Sequence, residues 1–311
     1  MGTPEFAVPA LRAVAAACEV SAVVTRPDRP RGRGQAVAAS AVSEAARELA
    51  LPVMKPERAS DAATREALAA TRPDLFAVVA FGEILSAELL RLPRLGCINL
   101  HGSLLPDYRG ASPVQRALWD GRSGTGVTTL WMDEGIDTGD IILQHWAAIE
   151  PGDDAGTLGA RLAHRGGSLL ARTLLLAHQG RAPRLRQELE AGSYARKLAK
   201  QDGVVDWSLD VETVWHRQRA VTPWPGATTA LRGRPLLLTG TCPEHRLQVP
   251  EVPGTIVAVE KDGVVVACRP GALRLQRVKA EGRNELDAAD WARGARVQPG
   301  DHLGIEREAN A

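Results

Sequence analysis

Cys97-Ile98-Asn99-Leu100-His101-Gly102-Ser103-Leu104-Leu105-Pro106 is an apolar run that ends in a polar pair and a Gly-Ser turn. Residues two apart on a strand face the same side. Asn99 and His101 are therefore expected to point together into one small volume. A second continuous apolar run, LFAVVAF at 75–81, reads as a strand covered on both faces. Ahead of these lie a β-branched segment at 20–25, a helical segment at 41–50, a short strand at 51–54 and a helical stretch at 62–70. Alternating strands and helices predict an α/β fold with a Rossmann-like parallel sheet covered by helices. Ligands of such sheets sit beyond the carboxyl ends of the strands. Phe81-Gly82 and His101-Gly102 would meet there.

Two further strands, 125–132 and 141–146, flank the loop Asp133-Glu134-Gly135-Ile136-Asp137-Thr138-Gly139-Asp140. A carboxylate from Asp137 would complete an Asn/His/Asp set with Asn99 and His101. Asn donates hydrogen bonds, and His both donates and titrates near neutral pH. Such a set can stabilise an oxyanion and move a proton during acyl-type transfer to an amine. A hydrogen-bonded surface pair is the plainer alternative. The flanking glycines, which let backbone approach a ligand closely, argue for a site. Ser103 invites a serine-nucleophile reading, but no Gly-x-Ser-x-Gly elbow surrounds it. The remaining histidines lack metal-ligand spacing, so no metal is expected.

The stretch 157–178 reads as a long helix interrupted at Gly166-Gly167, and a polar segment follows it. Beyond about residue 206, a helix at 211–219 precedes short strands at close spacing, with Gly and Pro turns, and a late helix at 288–296. This texture suggests a small β-barrel. The expected domains are 1–180, a linker at 181–202, and 203–311. Trp207 and Trp224 are expected to anchor the second core. Hydrophobic content of 44% and charge content of 24% are ordinary for a soluble globular chain. The formal net charge of +1 does not by itself announce a nucleic-acid binder. Arg26, Arg29, Arg31 and Arg33 are nevertheless concentrated among Pro and Gly, in a segment that cannot be regular helix. A second basic group is Arg196, Lys197 and Lys200. The four cysteines are far apart and read as small apolar residues of a reducing cytoplasm. No stretch approaches the roughly 20 apolar residues that span a bilayer, so no membrane partner is expected.

The stretches INLHGSLLPDYRGASPVQRALWDG (98–121) and TGVTTLWMDEGIDTGDIIL (125–143) closely resemble the folate-dependent formyltransferases. MGTPEFAVPAL, TRPDRPRGRG, VVAFGEIL and DWSLD…RAVTPWPGA extend that resemblance over nearly the whole chain. It implies a formyltransferase domain followed by an OB-like domain that binds transfer RNA. It implies formyl transfer from 10-formyltetrahydrofolate to the α-amine of methionine on initiator methionyl-tRNA, by a cytoplasmic monomer. The family's catalytic trio falls on Asn99, His101 and Asp137. Its folate contacts fall on Val79, Ala80, Phe81, Gly82, Ile84, Ser103, Leu104, Leu105, Pro106, Asp133, Gly135 and Asp140. RNA contacts are expected at Arg31, Arg33, Arg196, Lys197 and Lys200. Phe81 replaces the family's usual Tyr, and Glu83 is unusual for its loop. A nucleotide-linked amino sugar or a glycinamide nucleotide is the alternative acceptor, and a non-catalytic RNA-binding relative the alternative class. The family begins with an apolar strand ahead of its Gly-Thr-Pro, a strand that normally lies in the centre of the sheet. The expectation here is a start upstream of Met1, or a sheet with a visible defect.

Overall fold

The computed structural model describes residues 1–31, 36–244 and 252–304. The chain divides into two compact units. The first comprises Met1–Pro113, Gly124–Ala148 and Leu158–Arg196, and the second Val114–Ser123, Ile149–Thr157 and Lys197–Ala311. In chain order the elements are α1 (Val8–Ala17), β1 (Val23–Val24), β2 (Arg29–Arg31), β3 (Ala36–Ala38), α2 (Ala41–Glu48), β4 (Val53–Met54) and α3 (Ala62–Ala70). Next come β5 (Leu75–Val78), α4 (Ala87–Leu90), β6 (Gly96–His101), β7 (Arg109–Gly110), α5 (Pro113–Trp119), β8 (Gly124–Trp131), β9 (Ile141–Ala148), α6 (Ala155–His178) and β10 (Tyr194–Ala195). Serines start two of the helices. Ser40 Oγ accepts from Ser43 N–H at 3.0 Å, and Ser86 Oγ accepts from Leu89 N–H at 3.4 Å. Each satisfies a donor that the first helical turn leaves open.

The main sheet of the first unit has the order β5-β6-β8-β9. β5 and β6 run parallel, with Val78 beside Asn99. β8 runs antiparallel to β6, placing His101 opposite Thr128, and β9 runs antiparallel to β8. The sheet is therefore mixed, which corrects the all-parallel expectation. The 132–140 connection is too short for a crossover helix, so β8 and β9 can only pair antiparallel. A second correction concerns α6, which runs unbroken through Gly166 and Gly167. A Cβ at Gly166 would come within 2.8 Å of the Leu100 side chain, and one at Gly167 within 2.8 Å of the Pro9 carbonyl. Gly166 lets the helix lie close on β6 and Gly167 lets it lie close on α1, and neither ends it.

β1 and β4 form a separate parallel pair. Met1 and Gly2 bridge it to the end of β5. Gly2 N–H donates to the Val24 carbonyl at 3.0 Å, and Val79 N–H to the Met1 carbonyl at 2.9 Å. Beside this bridge lies a cavity of about 570 Å³, lined by Leu11, Val14, Val23, Phe76, Leu170 and Leu174 among others. β1-β4 and β5-β6-β8-β9 are separate ladders. None of Asn99, His101 and Asp137 lines the cavity.

The second unit adds α7 (Val211–Val221), β11 (Ala227–Leu231), β12 (Arg234–Glu244), β13 (Ile256–Glu260), β14 (Gly263–Ala267), β15 (Ala272–Ala280), β16 (Leu286–Asp287) and α8 (Ala288–Ala295). Its strands are all antiparallel, in the order β11-β12-β15-β14-β13, with β16 against β15. Single bridges tie Leu231 to Leu303 and Thr255 to His302, near the two ends of that path. Leu236, Leu238, Ile256, Val264, Leu273 and Leu275 form the centre of the core. Trp207 joins it, its indole donating to Thr229 Oγ1 at 3.2 Å. Trp224 does not, being 52% exposed between Pro223 and Pro225. Arg219 is buried in this unit. Its guanidinium donates to the carbonyls of Asp153 and Glu150 and stacks on Trp215 at 4.4 Å.

Candidate active site

β6 delivers Asn99 and His101 side by side, and the 132–140 connection carries Asp137 over them. Asn99 Nδ2 donates to Asp137 Oδ1 at 3.1 Å. Asp137 Oδ2 accepts from Gly110 N–H at 2.9 Å and lies 3.4 Å from His101 Nδ1. The side chains of His101 and Asp137 are only 5% and 13% exposed. His101 Nε2 contacts the Tyr108 carbonyl at 2.9 Å. A carbonyl can only accept, so Nε2 carries a hydrogen and Nδ1 is the nitrogen that faces the carboxylate. Asn99 Nδ2 retains a second N–H for another acceptor. The three side chains predicted from sequence are thus brought within hydrogen-bond or ion-pair reach of one another.

The Ser103–Pro106 turn is locked from below. Ser103 is fully buried and donates to the Asp107 carbonyl at 2.6 Å, so its hydroxyl supports the turn. Thr128 Oγ1 donates to the Ser103 carbonyl at 2.7 Å and accepts from Leu105 N–H at 3.1 Å. Gln144 Nε2 reaches both the Leu105 carbonyl and Thr128 Oγ1, at 2.8 and 3.0 Å. Leu105 is buried, and Leu104 and Pro106 are half-buried.

The 79–84 segment leaves the carboxyl end of β5, next to that of β6. Val79 and Phe81 are buried, whereas Ala80, Gly82 and Ile84 are exposed. Thr3 Oγ1 and Arg26 Nη1 donate to the carbonyls of Phe81 and Gly82, at 3.1 and 2.8 Å. Glu83 is tied into the fold. Its carboxylate accepts from Ala59 N–H at 3.0 and 3.2 Å, tying the segment to the loop before α3. In the third loop, Asp133 Oδ1 accepts from Gly135 N–H at 3.0 Å and from the Thr138 hydroxyl at 2.7 Å. Gly135 is exposed, and Asp140 lies 3.6 Å from Arg184.

Among the expected RNA contacts, Arg196, Lys197 and Lys200 are exposed. Arg31 ends β2, while Arg33 lies outside the described residues. Among the described residues, no three His, Cys, Asp or Glu side chains are grouped to hold a metal, and no helix is long and apolar enough to cross a membrane. Burial pushes the Cys97 thiol up to about 12, and Sγ donates to the Leu90 carbonyl at 3.5 Å. That thiol is a packing group on β6, with no thiolate for chemistry.

Sequence reading missed the groups that hold the site: Tyr108, Gly110, Thr128, Gln144, Ser193 and Gln187. β7 pairs with β10 in parallel, and Tyr108 N–H donates to Ser193 Oγ at 2.9 Å. Gln187 donates to the carbonyls of Asp137 and Gly139. Most of these contacts link residues far apart in sequence. The glycine of Arg109-Gly110 was the one local signal, since it implies a close backbone approach.

Residues 5–174 match the formyl transferase family, and residues 197–296 match the formyl transferase C-terminal domain. The methionyl-tRNA formyltransferase of Geobacter metallireducens is 42% identical over 98% of this chain and 97% of its own length. That of Moorella thermoacetica is 42% identical over 98% of each. In fold, the chain is similar to an N-formyltransferase from Helicobacter canadensis solved with folinic acid and dTDP-3-aminofucose, at a TM-score of 0.61 and 17% identity, covering 88% of this chain and 96% of that one. By identity and coverage together, the chain belongs to the methionyl-tRNA formyltransferases.

Proposed function

We propose that Asn99, His101 and Asp137 carry the transfer of a formyl group from 10-formyltetrahydrofolate to the α-amine of initiator methionyl-tRNA. The single observation behind this reading is the shared carboxylate of Asp137, held by Asn99 at 3.1 Å and facing His101 at 3.4 Å. Three loops converge around it, from the ends of β5 and β6 and from between β8 and β9. Buried Val79, Phe81 and Leu105 give these loops apolar footing. Backbone polar groups of the loops could recognise the edge of a flat heterocycle. In this reading Val79, Ala80, Phe81, Gly82, Ile84, Ser103, Leu104, Leu105, Pro106, Asp133, Gly135 and Asp140 border the folate substrate.

The neutral amine attacks the formyl carbon and forms the new C–N bond. The oxyanion that develops is met by the second N–H of Asn99 and, when Nδ1 is protonated, by the positive charge of His101, whose own N–H groups face Tyr108 and Asp137. Removing one such donor commonly costs about 10²–10³ in rate. Asp137 takes the proton shed by the amine, through water. The oxyanion then collapses to the carbonyl, the bond from the formyl carbon to the folate nitrogen breaks, and that nitrogen leaves with the proton returned from Asp137 through water. Positioned proton transfer contributes about 10²–10⁴.

The arginine loop, with Arg31 and Arg33, and the basic group Arg196, Lys197 and Lys200 are assigned to phosphates of the RNA. Arginine forks suit phosphate oxygens and base edges. Residues 1–180 are assigned the chemistry, 181–202 the linker, and 203–311 an OB-like RNA-binding role. The bridges at 302 and 303 support barrel closure. The test is formyl transfer from 10-formyltetrahydrofolate to charged initiator methionyl-tRNA. A folded protein that formylates amino-sugar nucleotides and not this RNA would overturn the assignment.

A further inference from the structure

We propose that Gln187 is a positioning residue for the reaction, setting the left-handed turn that aims the Asp137 carboxylate at Asn99 and His101. The proposal rests on the reading of Asp137 given above. Gln187 is 7% exposed and lies in the segment between α6 and β10. Its Nε2 donates to the Asp137 carbonyl at 2.9 Å and to the Gly139 carbonyl at 2.7 Å. A carboxamide has two N–H groups, and here both are spent on one loop.

Two carbonyls two residues apart reach one nitrogen only where the chain between them turns. Asp137 supplies that turn, with φ at +55°. Such a conformation is uncommon for a residue with a Cβ and needs support from its surroundings. The loop is also pressed against the end of β8, since a Cβ on Gly139 would come within 1.8 Å of the Trp131 carbonyl. The amide cannot be flipped, because Oε1 would then face two carbonyl oxygens.

Oε1 itself is buried and accepts from no protein group among the described residues. The carboxamide is there for its two donors, and both act on the loop of Asp137. The groups meeting the carboxylate are on β6 and β7, so the loop backbone must be held independently for the oxygens to meet them.

The experiment is a double-mutant cycle between Gln187→Met and Asp137→Asn in the full chain. Met keeps the length and apolar stem and removes both donors. Gln187→Met is expected to lower kcat by about 10²-fold, as expected for a loss of near-attack geometry, with KM for the RNA unchanged and the melting cooperative. In the Asp137→Asn background it should remove little more, because both changes act through one carboxylate. An unchanged kcat with only a lowered Tm, or a kcat loss that multiplies fully with that of Asp137→Asn, would overturn the proposal. Should the Met variant fail to fold, the same cycle is read with Gln187→Leu, which loses both donors and sets no oxygen against the two carbonyls. If Asp137→Asn alone keeps full activity, the assignment of Asp137 fails first, and that result is distinguishable from any result at Gln187.

Discussion

Gly110 N–H donates to Asp137 Oδ2 at 2.9 Å, so a backbone group of the β7 strap fixes the same oxygen that faces His101. Gly110 has φ of +107°, and a Cβ there would come within 2.8 Å of both the Ala195 carbonyl and the Tyr194 ring. Gly110→Ala must therefore push β7 away from β10 and carry the N–H with it. The expected result is a kcat lower by about 10²-fold, since misplacement of about 1 Å can cost that much. Steady-state kinetics beside a melting curve checks it, and wild-type kcat would contradict it.

Asn99→Ala and His101→Ala separate chemistry from binding. Asn99→Ala should lower kcat by about 10²–10³, and His101→Ala by about 10²–10⁴. Affinity for the RNA should be unchanged in both, as measured by filter binding. Equal losses of rate and affinity would mean that these side chains bind and do not catalyse.

Thr128 is fully buried and links the Ser103 carbonyl, Leu105 N–H and Gln144. Thr128→Val keeps the shape and removes the oxygen that joins them. The buried groups left without partners should destabilise the chain by about 1–3 kcal/mol. The Ser103–Pro106 turn should loosen as well, raising KM for the folate. Urea unfolding and folate titration read the two effects separately.

His216 packs against Gly121 in the second unit. Burial, its largest influence, pulls the His216 pKa below the ordinary 6.5, although Glu212 opposes this. The unfolded chain therefore binds this proton more readily than the folded one. Its contribution to stability is full above pH 6.5 and is lost as the pH falls below that value, toward the lower folded pKa. Replacing His216 with Gln should flatten this part of the stability–pH curve, and an unchanged curve would assign the dependence elsewhere.

If the arginine loop holds phosphates, affinity for the RNA should fall steeply with salt. The expected slope is about −0.7 to −0.9 per phosphate contact. Arg33→Ala should make the slope shallower. Parallel salt plots for the two proteins would remove the loop from the electrostatic grip.

That Asn99 and His101 face one small volume was legible because strand period two acts locally, on residues two apart. β5 and β6 were legible for the same reason, as continuous apolar runs. The direction of β8 was not, since apolar pattern says where a strand is and nothing about which way it runs. Gly166 and Gly167 looked like a break because helix propensity is a local average, whereas their role is contact with Leu100 and Pro9. Trp224 looked like a core residue by its size, yet it is 52% exposed between two prolines. Gln187, fifty residues from Asp137 in sequence, carries no local pattern at all.

Asn99 and His101 stand on β6, which is hydrogen-bonded on both sides, to β5 and to β8. The strands β5, β6, β8 and β9 have continuous ladders and should exchange only when the whole unit unfolds. Hydrogen exchange should therefore find the amides around Asn99 and His101 among the last of the first unit to open.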